Sequence, residues 1–219
     1  AMGAAERDSI RDLADMHLNT RLLVWSRMRD ADVPQCRGLG VWGVDLSVPL
    51  SDQQLRHKLG WQRQQALDTI RRCVPQALDL GLEVIVGGED ASRADPDFLL
   101  QAVETAQAAG ARRFRMADTL GIMEPFGVMA LFQRLRAATD IELEMHAHDD
   151  LGLATANTLA AALGGASHVN TTVNGLGERA GNAALEEVVL GLRKLYGFQV
   201  EIDLSRFQAL SQRVAAAAR

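Results

Sequence analysis

The feature of this sequence that most limits its fold is a repeat in which a short apolar segment is followed by a helical pattern. The apolar segments begin at residues 82, 113, 141 and 168, so successive starts lie 31, 28 and 27 residues apart. A regular alternation of strand and helix at this spacing is typical of βα units, whose strands pair in parallel. The chain is therefore predicted to have an α/β fold built on a parallel sheet.

The hydrophobic periodicity, together with Gly, Pro and Asp at segment ends, predicts the bounds of the elements. Strands are predicted at 21–28, 41–48, 82–86, 112–118, 141–147 and 168–173. Helices are predicted at 5–18, 30–38, 61–80, 96–109, 125–138, 152–163, 182–196 and 204–217. Asp95-Pro96 is a standard N-cap and first helical residue, so the helix start at 96 is the most sharply defined.

Polar side chains follow nearly every predicted strand, which favours a TIM (β/α)8-type barrel over a doubly wound sheet. A doubly wound sheet would carry its ligand loop after the first strand, and no G-x-G-x-x-G follows a strand here. A barrel instead gathers its strand ends around one site, and a complete one has eight strands. With six strands predicted, the first two strands and the first helix are expected to be missing. The polar strand ends are Arg27, Ser47, Glu89 with Asp90, Asp118 with Thr119, His146 with His148, and Asn170 with Asn174.

Composition excludes several classes of protein. The chain has 219 residues, of which 47% are hydrophobic, and a net charge of −5 without a basic run. This suits one catalytic barrel domain over 1–219 and argues against a nucleic-acid partner. No apolar stretch is long enough to span a bilayer, and the N-terminus lacks the pattern of a signal peptide. Cys36 and Cys73 have no C-x-x-C or His partner by spacing, which is typical of thiols in a reducing cytosol.

Residues 142–187 carry the strongest functional pattern. His146 and His148 lie two apart on a predicted strand, so both imidazoles point to one face and can reach one point. An isolated H-x-H is also compatible with a strand edge that carries two solvated histidines. The glycine-rich loop 174–182, one βα unit later, favours a functional site, because its glycines allow close approach to a ligand. Both features are expected at the same end of the sheet.

Other charged residues receive plainer interpretations. Arg112, Arg113 and Arg115 are predicted to be solvated near the start of a strand. Asp45 is equally compatible with an inward site residue and with a hydrogen-bond acceptor at a strand end. Glu178-Arg179 is interpreted as an ion pair within the glycine loop.

Four stretches resemble the homocitrate synthase family. They are H-A-H-D-D-L-G-L-A-T-A-N from 146, N-T-T-V-N-G-L-G-E-R-A-G-N-A-A-L-E-E-V from 170, A-D-T-L-G at 117–121 and G-G-E-D-A-S-R-A-D-P-D-F-L-L at 87–100. The family belongs to metal-dependent barrels that include isopropylmalate synthase, citramalate synthase and hydroxymethylglutaryl-CoA lyase. The second stretch is most similar to homocitrate synthases of nitrogen fixation, which condense acetyl-CoA with 2-oxoglutarate. Their product is the organic ligand of the iron–molybdenum cofactor of nitrogenase.

The resemblance implies roles for individual residues. The metal ligands would be His146, His148 and Asn182. The catalytic residues would be Glu89 and Thr119, and Thr119 would also bind the keto acid's carboxylate. The loop that closes over the acyl-CoA would contribute Asn174, Gly175, Gly177 and Glu178. Lysine-pathway members carry an arginine and a serine where this chain has Ile85 and Gly87, so Arg27 is the candidate for binding a second carboxylate.

The family's first strand carries a D-x-T-x-R-D-G-E-Q motif that includes an acidic metal ligand, and this motif occurs nowhere in the sequence. The chain is therefore expected to be N-terminally truncated relative to the family. It is expected to act as a homodimer or with a complementing N-terminal segment.

The implied chemistry is a Claisen condensation assisted by a divalent metal. Two imidazoles with oxygen ligands suit Mg²⁺, Mn²⁺ or Zn²⁺, which would polarise the keto group of 2-oxoglutarate for attack by the acetyl-CoA enolate. Two alternatives stay open: an isopropylmalate- or citramalate-type enzyme acting on another 2-oxo acid, and a non-catalytic fragment or subunit of a split synthase. The lyase is disfavoured, because its glycine loop carries a cysteine and residues 174–182 contain none. The protein is expected to be cytoplasmic.

Overall fold

The computed structural model describes residues 3–218 and contains an α/β fold around a six-stranded sheet. The strands are β1 (Leu23–Arg27), β2 (Gly43–Pro49), β3 (Glu83–Glu89), β4 (Arg113–Asp118), β5 (Glu142–Ala147) and β6 (His168–Asn170). They follow one another in the order β1-β2-β3-β4-β5-β6. The registered pairs run parallel. The predicted parallel α/β architecture is confirmed.

Helices alternate with the strands. They are α1 (Ala4–Asp15), α2 (Asp52–Gln54), α3 (Arg63–Leu78), α4 (Pro96–Ala108), α5 (Pro125–Ala138), α6 (Ala154–Leu163), α7 (Leu185–Leu195) and α8 (Phe207–Ala217). Short 3₁₀ turns occupy Val33–Cys36, Ala91–Arg93, Val173–Gly175 and Leu204–Arg206, and Leu55–Leu59 is π-helical. Within residues 3–218, no helix is both long and apolar enough to cross a membrane.

The chain divides into two compact units. The first comprises residues up to 117 together with 138–142, and the second comprises 118–137 and the residues from 143 onward. In the first unit, α3 packs on β2, β3 and α4. Its buried residues Ile70, Cys73, Val74 and Ala77 recur every three to four positions and form the apolar face of the helix. Cys36 and Cys73 are both free and buried, as small apolar residues would be.

The start of α4 follows the predicted capping pattern. Asp95 Oδ1 accepts hydrogen bonds of 3.0 Å from the backbone N–H groups of Asp97 and Phe98. These groups would otherwise lack a partner in the first turn, and such a cap stabilises a helix by about 1 kcal/mol. Pro96 occupies the first helical position.

In the second unit, β5 separates an apolar face from a polar one. Leu143, Met145 and Ala147 are fully buried, and the alternating positions carry His146 and His148. The strand therefore turns its apolar side to the core and the histidine side away from it. Helices α6 and α7 pack closely at Gly191. A Cβ at this residue would lie only 2.9 Å from Leu159 Cδ1.

Most elements differ from their predicted bounds by one to three residues, and only the 3₁₀ turn Val33–Cys36 forms within the predicted helix 30–38. Two of the larger differences concern β6 and α7. β6 ends at Asn170 instead of 173, and α7 begins at Leu185 instead of 182. Residues 182–184 form bridges instead of a first helical turn: Asn182 pairs with His148, and Ala184 pairs with Thr172. The N–H of Ala183 donates to Ala147 O at 3.2 Å. Backbone groups used in these bridges are not available for an earlier helical turn.

The prediction of solvated arginines at the start of β4 is wrong for Arg113 and Arg115. Arg113 is buried and donates to Glu142 Oε2 from Nε at 3.2 Å and from Nη2 at 3.1 Å. Arg115 lies 2.8 Å from Asp45 Oδ2, and both side chains are nearly buried. Asp45 is thus an inward residue of a buried ion pair. Each arginine leaves water because a carboxylate from another strand replaces its hydration.

Candidate active site

His146 of β5 and His148, one residue past the end of that strand, face each other. His146 Nε2 and His148 Nε2 are 3.2 Å apart, and the rings are nearly perpendicular, at 89°. This follows from their i and i+2 positions, which place both side chains on one face of the strand. The parallel register of β5 and β6 sets Asn170 opposite His146, and Asn170 Oδ1 lies 3.0 Å from His146 Nδ1. The pair is therefore part of a built cluster and not a solvated strand edge.

Asn170 determines which nitrogen of His146 carries the proton. Its Nδ2 donates to Glu144 Oε1 at 3.3 Å, because a carboxylate can only accept. The amide oxygen of Asn170 is thereby turned toward His146, and Nδ1–H donates to it. His146 Nε2 is left with its lone pair toward His148. A histidine held in this way by a neighbouring oxygen is oriented for metal binding.

Two buried polar atoms beside this pair have no hydrogen-bond partner among the described residues. They are His148 Nδ1 and Asn182 Oδ1. His148 and Asn182 are bridge partners, and both are buried. Asn182 Nδ2 donates to Leu176 O at 3.0 Å, so the amide is held by its nitrogen and its oxygen is left over. An unpaired buried oxygen is costly unless a ligand satisfies it.

This donor set fits a divalent metal. Two imidazole nitrogens bound to one zinc ion at 2.0–2.1 Å lie roughly 2.9–3.4 Å apart for ordinary coordination angles, and the observed 3.2 Å falls in that range. The oxygen of Asn182 adds a hard donor of the kind that Mg²⁺ and Mn²⁺ also accept. No group of three His, Cys, Asp or Glu side chains within residues 3–218 could hold a metal. The fitted set is therefore two imidazoles and an amide oxygen, without an acidic ligand.

The glycine loop folds back on Asn182. Asn182 N–H donates to Gly175 O at 2.9 Å, which closes the loop at its base. A Cβ at Gly181 would lie 2.1 Å from Gly175 O, and one at Gly177 would lie 1.9 Å from Asn182 Nδ2. Gly177 is therefore required by the close approach of the loop to Asn182, and Gly181 by the close approach to the backbone carbonyl of Gly175. Their effect on a ligand is indirect, because they set the position of Asn182.

Arg179 connects the glycine loop to two other loops of the second unit. Its Nε and Nη2 each lie 2.7 Å from an oxygen of Asp150, and Nη2 also donates to Thr119 O at 2.7 Å. The hydrogen bond from Arg179 holds the pKa of Asp150 below its usual value. The predicted pairing of Glu178 with Arg179 is thus replaced by a bidentate pair with Asp150. Thr119 is brought next to the glycine loop through its backbone carbonyl.

The remaining loop residues with predicted roles have other contacts. Asn174 has a left-handed φ of 59°, its Nδ2 donates to Ser211 O, and its Oδ1 accepts from Ser211 Oγ at 2.6 Å. Its amide therefore contacts α8. Glu178 is exposed, and the backbone carbonyl of Gly175 accepts a hydrogen bond from Asn182 N–H. Substrate binding by these residues stays a prediction.

Arg27 and Glu89 belong to the first unit, and each is already in an ion pair. Arg27 Nε lies 2.6 Å from Asp32 Oδ2, and Lys58 Nζ lies 2.7 Å from Glu89 Oε2. Lys58 could not be recognised from sequence, because it lies in a polar segment and its partner is 31 residues away. Asn170 was recognisable as a polar strand end, but its role depends on the register of β5 and β6.

The chain is similar to known proteins over nearly its whole length. The sequence matches the model of the HMGL-like family over residues 1–214. It is 45% identical over 217 residues to homocitrate synthase 1 of a Nostoc species, covering 99% of this chain and 58% of that protein. It is 44% identical over 216 residues to 2-isopropylmalate synthase 2 of Caldanaerobacter subterraneus, covering 99% of this chain and 56% of that protein. The chain thus spans a little over half the length of these relatives.

Among solved structures, the HMG-CoA lyase from Brucella melitensis matches with a TM-score of 0.83 at 18% identity. The match covers 98% of this chain and 79% of the lyase chain. At this identity the likeness concerns the fold alone. Together with the six-stranded parallel sheet, it confirms the predicted fold class, an incomplete TIM-type barrel.

Proposed function

The chain belongs to the HMGL-like family, and from that premise we propose that it forms the metal- and keto-acid-binding part of an acyltransferase. The proposed reaction condenses acetyl-CoA with 2-oxoglutarate to homocitrate. Its coarser form, condensation of acetyl-CoA with some 2-oxo acid, draws support from relatives named homocitrate, 2-isopropylmalate and citramalate synthases. We also propose that the homocitrate serves the synthesis of the nitrogenase cofactor. This role rests on the resemblance of residues 170–188 to homocitrate synthases of nitrogen fixation.

The observation that carries the proposal is the cluster of His146, His148 and Asn182. Two Nε2 atoms lie at a chelating distance, and the buried amide oxygen of Asn182 lacks a partner among residues 3–218. Groups left unsatisfied in a buried position indicate an unseen ligand. A divalent metal held there supplies a Lewis acid for the keto group of the substrate.

The chain's own residues orient and enclose this site. Asn170 keeps the proton of His146 on Nδ1, so that Nε2 keeps the lone pair with which it would bind a metal. Arg179 fixes the backbone of Thr119, whose hydroxyl is proposed to bind the carboxylate of the keto acid. The glycine loop is proposed to cover the acyl-CoA through Gly175, Gly177 and Glu178. Glu89 is proposed to act beside the substrate as a catalytic carboxylate.

The test is release of free thiol from acetyl-CoA with 2-oxoglutarate, with and without a chelator. It is run on this chain alone and on a complemented protein, in which a segment carrying D-x-T-x-R-D-G-E-Q is supplied in cis or in trans. Activity is expected in the complemented protein. His146→Ala and chelation should each abolish that activity, because the keto group loses its Lewis acid.

His168→Ala is the matched control. His168 is the first residue of β6, and its Nδ1 contacts Ser167 Oγ at 2.9 Å, so its loss should leave the rate nearly unchanged. Equal rates in His146→Ala, chelated and unmodified protein would remove the metal assignment and the homocitrate function with it.

The runner-up is an isopropylmalate- or citramalate-type reaction. Ile85 and Gly87 replace the arginine and serine of the lysine-pathway enzymes, and Arg27 is already paired with Asp32. A series of 2-oxo acids with one and with two carboxylates separates the two reactions. Absence of turnover with every acid in the complemented protein would favour a non-catalytic subunit.

A further inference from the structure

The first unit contains a small cavity at the carboxyl ends of three strands. Arg27 of β1, Ser47 of β2 and Glu89 of β3 line it, and Lys58 and Trp61 border it from the segment after α2. Its volume is about 90 Å³, which corresponds to roughly three water molecules at about 30 Å³ each. A carboxymethyl group fits such a space, and a nucleotide does not.

The charge of the lining favours an anion. Three cationic side chains, Arg27, Arg29 and Lys58, face the cavity against a single carboxylate, Glu89. Asp32, outside the lining, engages Arg27. The remaining positive charge exceeds the negative charge, so a carboxylate entering the cavity meets a net attraction.

Lys58 is the cation best placed to exchange partners. Its side chain is 55% exposed, whereas that of Glu89 is 20% exposed. A long, exposed lysine changes its contact at little cost, because its three N–H donors rotate freely. Lys58 can therefore turn from Glu89 to an incoming carboxylate.

The backbone that carries Lys58 has an unusual form. Leu55–Leu59 is π-helical, and it ends at Gly60 in the left-handed region, with φ 67°. Trp61 N–H then donates to Leu55 O at 2.8 Å. This wide turn brings Lys58, Leu59 and Trp61 to one cavity, an arrangement that an ordinary α-helix would not give. On the opposite wall, Trp25 Nε1 is fixed by Ser47 Oγ at 2.8 Å.

We propose that this cavity binds a carboxylate group of a small dicarboxylic acid, with Lys58 as the specificity-determining cation. Lys58 is preferred to Arg27, the cation expected from the sequence: both are paired with a carboxylate, but the side chain of Lys58 is the more exposed, at 55% against 41%. The identity of the substrate rests on the proposed function. The existence of the site does not, since it needs neither metal nor acetyl-CoA.

The test is titration of the chain with glutarate, a dicarboxylate without a keto group. Binding is followed by the fluorescence of Trp25 and Trp61 in a Trp42→Phe background, so that only the cavity's two indoles report. Lys58→Gln should weaken glutarate binding about tenfold, the loss typical of one charge-assisted hydrogen bond. Lys58→Arg should stay within about threefold.

Glu89→Gln is the variant that should change glutarate binding in the opposite direction. It removes the internal competitor for Lys58 and the only negative charge of the lining, so glutarate should bind more tightly. The matched control is Lys194→Gln, which removes the chain's other lysine, on α7, and it should change nothing. A simple loss of folding would weaken binding in both Lys58→Gln and Glu89→Gln, whereas the site demands changes of opposite sign.

Three results would overturn the proposal: equal affinities in the Lys58→Gln and Lys194→Gln variants, weaker binding in Glu89→Gln, or binding of inorganic phosphate without binding of glutarate. Failure of the proposed function is separable from these results. Glutarate binding with the expected pattern, but no thiol release with any 2-oxo acid, would keep the cavity and remove the reaction.

Discussion

At the scale of single residues, the polar face of β5 is controlled by one amide. Asn170 contacts both Glu144 and His146. Because the Glu144 carboxylate accepts from the amide nitrogen of Asn170, the amide oxygen faces His146 and sets the tautomer with the proton on Nδ1. The sequence shows the histidines, but the amide that sets their protonation comes from the next strand. Its role follows only from the register in which His146 faces Asn170.

Replacing Asn170 should change metal affinity before it changes the fold. Asn170→Leu keeps the size of the side chain but removes the acceptor for His146 Nδ1–H, and a supporting contact of this kind is worth about 10- to 100-fold in metal affinity. Asn170→Gln keeps both the amide oxygen and the amide nitrogen that donates to Glu144, and it should bind within a few-fold of the unmodified chain. Competition with a chelating dye for Zn²⁺ or Mn²⁺ measures both. Unchanged affinity in Asn170→Leu would show that the amide does not orient the ligand.

At the scale of elements, local patterns predicted what local interactions decide. The capped start of α4 and the apolar face of β5 were predictable because their causes lie within a few residues of sequence. The late start of α7 was not, because Asn182 and Ala184 use backbone groups in bridges to distant residues. The burial of Arg113 and Arg115 was missed for the same reason, since their counter-charges Glu142 and Asp45 come from other strands.

The glycine loop gives a test at this scale. Gly177→Ala should destabilise the protein by about 1–3 kcal/mol, as overpacking does, because the new Cβ would meet Asn182 Nδ2. In an Asn182→Ala background the same change should cost much less, since the clashing group is gone. Denaturant unfolding of the four proteins in this cycle measures the coupling. Gly3→Ala, at an exposed position with open space around it, is the control, and a cycle that is additive would contradict the contact.

At the scale of the whole molecule, the two free thiols report on the integrity of the first unit. Burial raises the pKa of Cys73 to about 11, so at pH 8 only about one thiol in a thousand is the reactive thiolate. Iodoacetamide should label Cys73 only as fast as the unit opens, and labelling should accelerate with denaturant. Fast labelling of the native protein, independent of denaturant, would contradict the packing.

The same pKa shift has a defined sign for stability. The protonated thiol is favoured in the folded state, so its contribution is complete below the unfolded pKa of 9.0 and is lost as pH rises toward about 11. The free energy of unfolding, measured by denaturant titration, should therefore decrease as the pH rises from 9.0 to about 11. Cys73→Ala should flatten that part of the profile.

The closure of the glycine loop onto Asn182 also sets an order of events during synthesis. His148 and Asn182 are 34 residues apart, and translation at about 5–20 residues per second separates their emergence by roughly 2 to 7 s. During that interval the nascent chain has both imidazoles but lacks the amide oxygen and the turn that Gly175 and Gly177 make around it. Under the proposed metal binding, an ion that meets the chain early would find a two-nitrogen site that it leaves easily. Its retention would begin only once the loop has left the ribosome.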